Sequence, residues 1–322
     1  MLCLEWRRVV MMSHVVNPLS SPSETTSGSC VRTLLTPKQI ARALDVSESS
    51  IKRWCDQGVI PAHYTAGGHR RIAMGDLLEY LRTSQQQLVN PAALGLAPTS
   101  GQTLRVIDRA RNELVAAILA GEEAKCRQIA IDMYLANHAL SVICDELFAV
   151  AFHEIGNLWE QGDAEVYQER RACDIAVRVL RDLREQLATV PESAPLALGC
   201  ATTGDPYRLA TTMAELVLRQ AKWNACSLGE NLPFATIDAA LHTYAPRLFW
   251  ISCSFLVDER EFLTGYQQLY ASHGDQITFV MGGQALSTAL QKKVPFATYC
   301  GNMQELQSFA QSMAASLPKG SP

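Results

Sequence analysis

Residues 36–61 read TPKQIARALDVSESSIKRWCDQGVIP, and residues 65–72 add TAGGHRRI. Thr36 before Pro37 is a helix N-cap followed by proline at the first helical position, where its missing N–H costs nothing. Ile40, Ala41 and Leu44 then recur on one helical face. Asp45-Val46-Ser47 interrupts that period, and Ser47 can cap a second helix that carries Ile51 and Trp54 inward until Gly58 stops it. Two short helices across a three-residue turn, with small Ala41 at their crossing, are the pattern of a helix-turn-helix. Gly67-Gly68 predicts a tight turn inside the basic segment His69-Arg70-Arg71, which reads as a wing, and Gly75 to Arg82 predicts a third helix.

The outward side of the second predicted helix presents Ser49, Ser50, Lys52 and Arg53. Small polar and basic side chains on a helix can enter a major groove and reach base edges and phosphates. His69, Arg70 and Arg71 would neutralise phosphates or probe the adjacent groove. The partner these residues imply is a double-stranded DNA operator. The charge distribution agrees: residues 33–84 hold seven Lys/Arg against five Asp/Glu, so the rest of the chain carries −6 of a net −4. A protein that coated nucleic acid along its whole surface would be basic throughout.

Outward from this core, a chain of 322 residues is expected to form two or three domains. Glu5, Arg7 and Arg8 interrupt the apolar start, unlike a signal peptide, and Ser, Thr and Pro crowd residues 13–32, so residues 1–32 are read as a disordered tail. The DNA-binding domain spans 33–84, and the polar, then Pro/Gly-punctuated residues 85–102 read as a linker. Residues 103–190 are nearly free of proline and keep a helical period over about 103–120, 122–137, 140–161 and 164–187, broken at Gly121 and at Gln161-Gly162-Asp163. Short connections between such helices predict a four-helix bundle. Residues 194–318 alternate short apolar strands (Leu196–Ala201, Trp223–Leu228, Leu248–Cys253, Ile277–Met281, Ala297–Cys300) with amphipathic helices. That alternation predicts a five-stranded parallel sheet of flavodoxin or Rossmann-like type, with any ligand at the carboxyl ends of the strands. The fold class is therefore multidomain, α followed by α/β.

The ten cysteines form no C-x-x-C pair and no zinc spacing, as expected of spectator thiols in a reducing compartment. No apolar run reaches the length of a membrane span, so a cytoplasmic protein without a membrane partner is expected.

The stretch TPKQIARALDVSESSIKRWCDQGVIP with TAGGHRRI resembles the DNA-binding domain of MerR-type regulators, in which GGHRR forms the wing. Tyr64 departs from that pattern, since an arginine commonly precedes the threonine. The remainder resembles the effector half of CarH-type repressors, cobalamin-dependent and light-responsive, in which a four-helix bundle caps a cobalamin domain. Residues 153–172, HEIGNLWEQGDAEVYQERRA, are similar to the cap motif, a tryptophan followed ten and eleven residues later by Glu and His. Trp159 and Glu169 match, Arg170 takes the histidine position, and Glu160 follows the tryptophan where His can stand.

The cobalamin-domain motifs implied by the resemblance are D-x-H-x-x-G, S-x-L and G-G. Here they read Asp205 to Ala210, Ser254-Phe255-Leu256 and Gly282-Gly283. Tyr207 replaces the cobalt-ligating His and Ala210 replaces the Gly. An imidazole can coordinate cobalt as a neutral donor, whereas a phenol with a pKa of about 10 is a poor neutral ligand. Ala210 is expected to crowd the cofactor's nucleotide tail, and Arg170 to place a fixed cation at the cap. His-ligated cobalamin is accordingly not expected; another tetrapyrrole, or no ligand, stays open, and no metal site is expected. Each of these residues also has a plain structural reading, such as Trp159 in the core or Gly282-Gly283 as a tight turn.

The function these readings point to is a sequence-specific regulator, a repressor by the resemblance, that acts as a homodimer or tetramer and is not an enzyme. Two alternatives stand beside it. One is a cobalamin- or tetrapyrrole-dependent light sensor with an unusual binding mode. The other is a corrinoid enzyme module, which the helix-turn-helix in the same chain disfavours.

Overall fold

The computed structural model describes residues 34–96, 107–162, 164–188, 190–191 and 193–316. The tail expected to be disordered lies outside the described residues, as do Asp163 and residues 97–102, the last third of the expected linker.

Helix α1 (Pro37–Leu44) begins in a capping box: the Thr36 side chain accepts from the Gln39 N–H, and Gln39 accepts from the Thr36 N–H at 2.9 Å. Asp45, at φ 53°, ends it in the left-handed conformation that Asp tolerates. Ser47 caps α2 (Glu48–Asp56), and Gly58 turns the chain at φ 70°. Three short strands form an antiparallel sheet, with β3 (Arg70–Ala73) between β1 (Leu34–Leu35), which precedes α1, and β2 (His63–Tyr64). Helix α3 (Met74–Ser84) leaves β3 directly. Ile40, Ile51, Ile60, Ile72, Leu77 and Leu78 are fully buried between these elements. Trp54 is half-buried against Tyr80, with ring centroids 5.6 Å apart.

Residues 85–96 of the expected linker pack against the DNA-binding domain. Leu88, Pro91 and Leu94 are buried, the Val89 and Asn90 N–H groups both donate to the Ala43 carbonyl at 2.9 Å, and Pro91–Leu94 form a 3-10 turn. Three apolar side chains among polar neighbours are enough to hold this segment on the open side of α1.

The bundle comprises α4 (Ile107–Ala120), α5 (Glu123–Leu135), α6 (140–161) and α7 (Val166–Glu185). Gly121 and Gly162 make left-handed turns at φ 80° between them, as the sequence predicts. Within α6, residues Ile143–Ala149 widen into a π-helix, a form often found beside functional sites. The DNA-binding domain rests on this bundle. An added Cβ at Gly75 would lie 2.1 Å from the Leu187 carbonyl oxygen, so only glycine permits the approach. The Arg82 guanidinium sits 4.0 Å from the Tyr134 ring centroid and donates to the His138 carbonyl at 3.2 Å.

Strands β4 (Leu196–Ala201), β5 (Asn224–Ser227), β6 (Leu248–Ser252), β7 (Thr278–Gly282) and β8 (Thr298–Cys300) form one parallel sheet in the order β5-β4-β6-β7-β8. This is the flavodoxin-like order, with its switch point between β4 and β6. Side chains alternate across it. Leu198, Phe249, Ile251, Phe279 and Met281 pack under α9 (Phe234–Tyr244), α10 (Glu259–His273) and α11 (Thr288–Gln291). Ala197, Trp250 and Val280 face α8 (Arg208–Gln220) and α12 (Met303–Ser316). The bundle lies on this second side: α8 packs along α7, and Asp145 of the π-helix accepts from the Met303 and Gln304 N–H groups at 2.8 and 2.9 Å, capping α12.

Candidate functional site

On the DNA-binding domain, Ser49, Lys52 and Arg53 are exposed along α2, and Ser50 is half-buried. The Ser47 cap hydroxyl lies 2.8 Å from both the Ser49 and Ser50 hydroxyls, so the two serines are pre-oriented at the amino end of the helix. Lys52 pairs with Glu48 one turn earlier at 2.8 Å, and its hydrogen bond holds the Glu48 carboxyl below its ordinary range. The Arg53 side chain makes no hydrogen bond or ion pair with the described residues.

In the wing, Gly68 turns at φ 74° and His69 stands exposed at its tip. Arg70, read from the sequence as a phosphate or groove contact, is held by neighbouring side chains. Its Nε and Nη2 donate to Asp56 Oδ1 at 3.1 and 2.6 Å, and its guanidinium lies 5.5 Å from the Tyr64 ring centroid. The Tyr64 hydroxyl donates to the same oxygen at 3.4 Å. Asp56 closes α2, Tyr64 lies on β2 and Arg70 opposite it on β3, so the trio braces the wing against α2. Arg71 donates to the Arg70 carbonyl at 3.0 Å and is half-buried. Sequence reading missed Asp56 as a partner, because fourteen residues separate it from Arg70 and no local pattern joins them.

In the effector half, the residues read as one pocket fall into two groups. Ala210, Ser254, Gly282 and Gly283 line a cavity of about 380 Å³ at the carboxyl ends of the strands, under Asp145 and Ala149 of the π-helix. That volume lies within the range of small-molecule sites. Ala210, expected to crowd a nucleotide tail, stands in the wall of this cavity. Trp250, which sequence reading treated only as strand, also lines the cavity. It lies flat across Gly199, where an added Cβ would meet the indole at 1.9 Å, and its Nε1 donates to Thr211 Oγ1 at 3.0 Å. Gly282 and Gly283 are required by the backbone itself. A Cβ would come 2.8 Å from the Cys300 carbonyl oxygen at the first, and at the second, with φ 115°, 2.2 Å from that of Cys253.

Tyr207, Asp205, Glu169 and Arg170 form the second group, beside the cavity. Asp205 is fully buried; Oδ1 accepts from the Tyr207 N–H at 3.0 Å, and Oδ2 from the Ser254 and Phe255 N–H groups at 2.6 and 3.2 Å. Burial raises its carboxyl above the ordinary value, and the three N–H donors oppose that shift. Asp205 thus ties the β4–α8 turn to the loop after β6. Burial, then the nearby Glu169, Cys173 and Asp205, push the Tyr207 phenol up to about 12, with Arg170 opposing. Cys173 shares this corner, its thiol 3.7 Å from Glu169 Oε1 and pushed up to about 12 by burial and then by Glu169. Tyr207 is therefore a neutral phenol near pH 7, close to Glu169 and Cys173 of α7. Trp159 is half-buried on α6 and Leu256 half-buried after β6, and neither lines the cavity.

Fold and site together define a DNA-binding regulator that joins a helix-turn-helix to a cobalamin-binding-like region. Residues 34–85 match the family described as "Helix-turn-helix domain", and residues 110–183 match the family described as "B12 binding domain". The combination fits a CarH-like regulator. No curated protein matches the chain significantly. Among solved structures, the monomethylamine corrinoid protein of Methanosarcina barkeri is similar in fold at TM-score 0.54 and 14% identity, over 65% of this chain and 100% of that one. A cobalamin-binding protein from Desulfitobacterium hafniense DCB-2 aligns at TM-score 0.35 and 14% identity, over 62% of this chain and 97% of that one. Among the described residues no helix is long and apolar enough to cross a membrane.

Proposed function

We propose that this chain is a sequence-specific transcriptional regulator of the MerR/CarH type, a repressor by that resemblance, whose effector half works without an imidazole on cobalt. It acts without cobalamin, or with a different ligand seated in the cavity beside Ala210, Ser254 and Trp250. The observation that carries this reading is Tyr207. The position that needs a neutral nitrogen donor holds a phenol, close to Glu169 and Cys173 and outside the cavity lining. The recognition face is Ser49, Ser50, Lys52 and Arg53, with His69 and Arg71 from the wing. Arg70 serves it by holding the wing in register.

A dimer or tetramer spanning two half-sites supplies the specificity that one small domain lacks. The chain is not an enzyme on this reading, and it works in the cytoplasm, where operators are. A second reading is favoured by the open cavity: a cobalamin- or tetrapyrrole-dependent light sensor, in which Ser254, Gly282 and Gly283 would line the cofactor's site and no histidine of the protein would ligate the metal.

Absorption spectra of the purified protein with added adenosylcobalamin, in darkness and after illumination, separate the two when paired with DNA-binding titrations. Spectra unchanged from free cofactor and equal DNA affinity in both conditions are expected. Tight binding with a light-dependent change in DNA affinity would replace the first reading by the second. Light scattering at micromolar concentration tests self-association, and a strict monomer with and without DNA would contradict it.

A further inference from the structure

Asp238 and His242 stand one turn apart on α9, and His273 is the last residue of α10. Asp238 Oδ1 is 2.8 Å from His273 Nε2, and Oδ2 is 3.4 Å from His242 Nδ1. The two imidazole rings meet edge to face with centroids 4.5 Å apart, and one ligand atom from each of the three residues lies within 4.8 Å of the others. This cluster is remote from the effector cavity. It lies on the sheet face away from the bundle, beside Arg247 and Ile277, which lead into the amino ends of β6 and β7.

We propose that Asp238, His242 and His273 form a binding site for a divalent transition-metal ion of the zinc class. Two imidazoles and one carboxylate are a donor set that such ions take, and three protein ligands leave one position open. Bonds of about 2.0–2.1 Å in a tetrahedron separate neighbouring ligand atoms by roughly 3.3–3.4 Å. The two carboxylate–imidazole separations, to different oxygens of Asp238, bracket that spacing, and one atom from each residue lies within 4.8 Å of the others, so rotation of the exposed His242 side chain closes the site. His273 is held in place by burial, at 7% exposed, while His242 is exposed and can rotate onto the ion. His242 and His273 also line a cavity of about 290 Å³ with Arg247, Ser272 and Gln276, which gives the open position room for water or a small anion. Sequence spacing does not show this site, because 30 residues lie between His242 and His273 in the chain.

The test uses the untagged full chain, stripped with a chelator and titrated calorimetrically with Zn²⁺. One equivalent is expected to bind, and His242→Ala, an exposed change that leaves the fold intact, is expected to weaken binding at least tenfold. Asp238→Asn should do the same. Titration with Co²⁺ distinguishes this site from the cysteines: nitrogen and oxygen ligands give d–d bands without sulfur-to-metal charge transfer. Undiminished binding in both variants, a thiolate charge-transfer band as the main signal, or no binding at micromolar Zn²⁺ would each overturn the proposal.

Discussion

Arg53→Ala is the sharpest probe of the DNA-facing helix, because the free protein loses nothing by it. The Arg53 side chain is exposed and makes no hydrogen bond or ion pair with the described residues. A surface substitution of that kind changes stability by no more than about 0.5 kcal/mol. A lost base or phosphate contact removes about 1–3 kcal/mol of binding, which is roughly 5- to 150-fold in Kd. Lys52 offers a useful comparison, since part of its charge is already neutralised by Glu48 at 2.8 Å, so Lys52→Ala should cost less. The assay is fluorescence anisotropy on DNA enriched by in vitro selection, repeated over a range of salt concentrations. If Arg53 contacts a phosphate, the slope of log K against log salt falls by about 0.9 and all sequences weaken alike. If it reads a base, selected DNA weakens more than random DNA. An Arg53→Ala protein with unchanged melting and a Kd within twofold of the parent on selected DNA would refute the assignment of this face.

Gly283→Ala should destabilise the α/β domain by on the order of 3 kcal/mol, from a left-handed backbone and a blocked Cβ. The Cys253 carbonyl it would strike accepts from the Ala285 N–H at 3.0 Å and cannot move without losing that bond. Gly301→Ala, whose added Cβ meets only side-chain atoms at 3.5 Å or more, is the control, and equal urea midpoints for the two variants would sink the claim. Tyr207 predicts a pH effect. Its folded pKa, pushed up to about 12, exceeds the ordinary value of 10.0, so the stabilisation it contributes is complete below pH 10 and is lost as pH rises through about 12. Tyr207→Phe should therefore flatten the alkaline fall of stability and remove a phenol titrating near 12 from the ultraviolet difference spectrum. Loss of one titrating near 10 instead would show that the phenol is not held by its surroundings.

The chain's own sequence determined the elements and most of their order. Thr36-Pro37, Ser47 and Gly58 mark the helix ends because capping is settled within a few residues, and the strands of the α/β half were legible as short apolar runs because both faces of a parallel sheet are buried. The departures at Tyr207, Ala210 and Arg170 were visible too, since each is a single residue set against a motif. Tertiary structure alone decided what those residues touch. It folded Leu88, Pro91 and Leu94 back onto α1, spent Arg70 on Asp56 and Tyr64, and left the space beside Ala210 open under the π-helix. It also divided the expected pocket, with Asp205 as the hinge between the cavity wall and the Tyr207 corner, and brought Asp238, His242 and His273 together. These contacts join residues tens of positions apart, and their distances follow from how helices and sheet pack, which spacing along the chain does not encode.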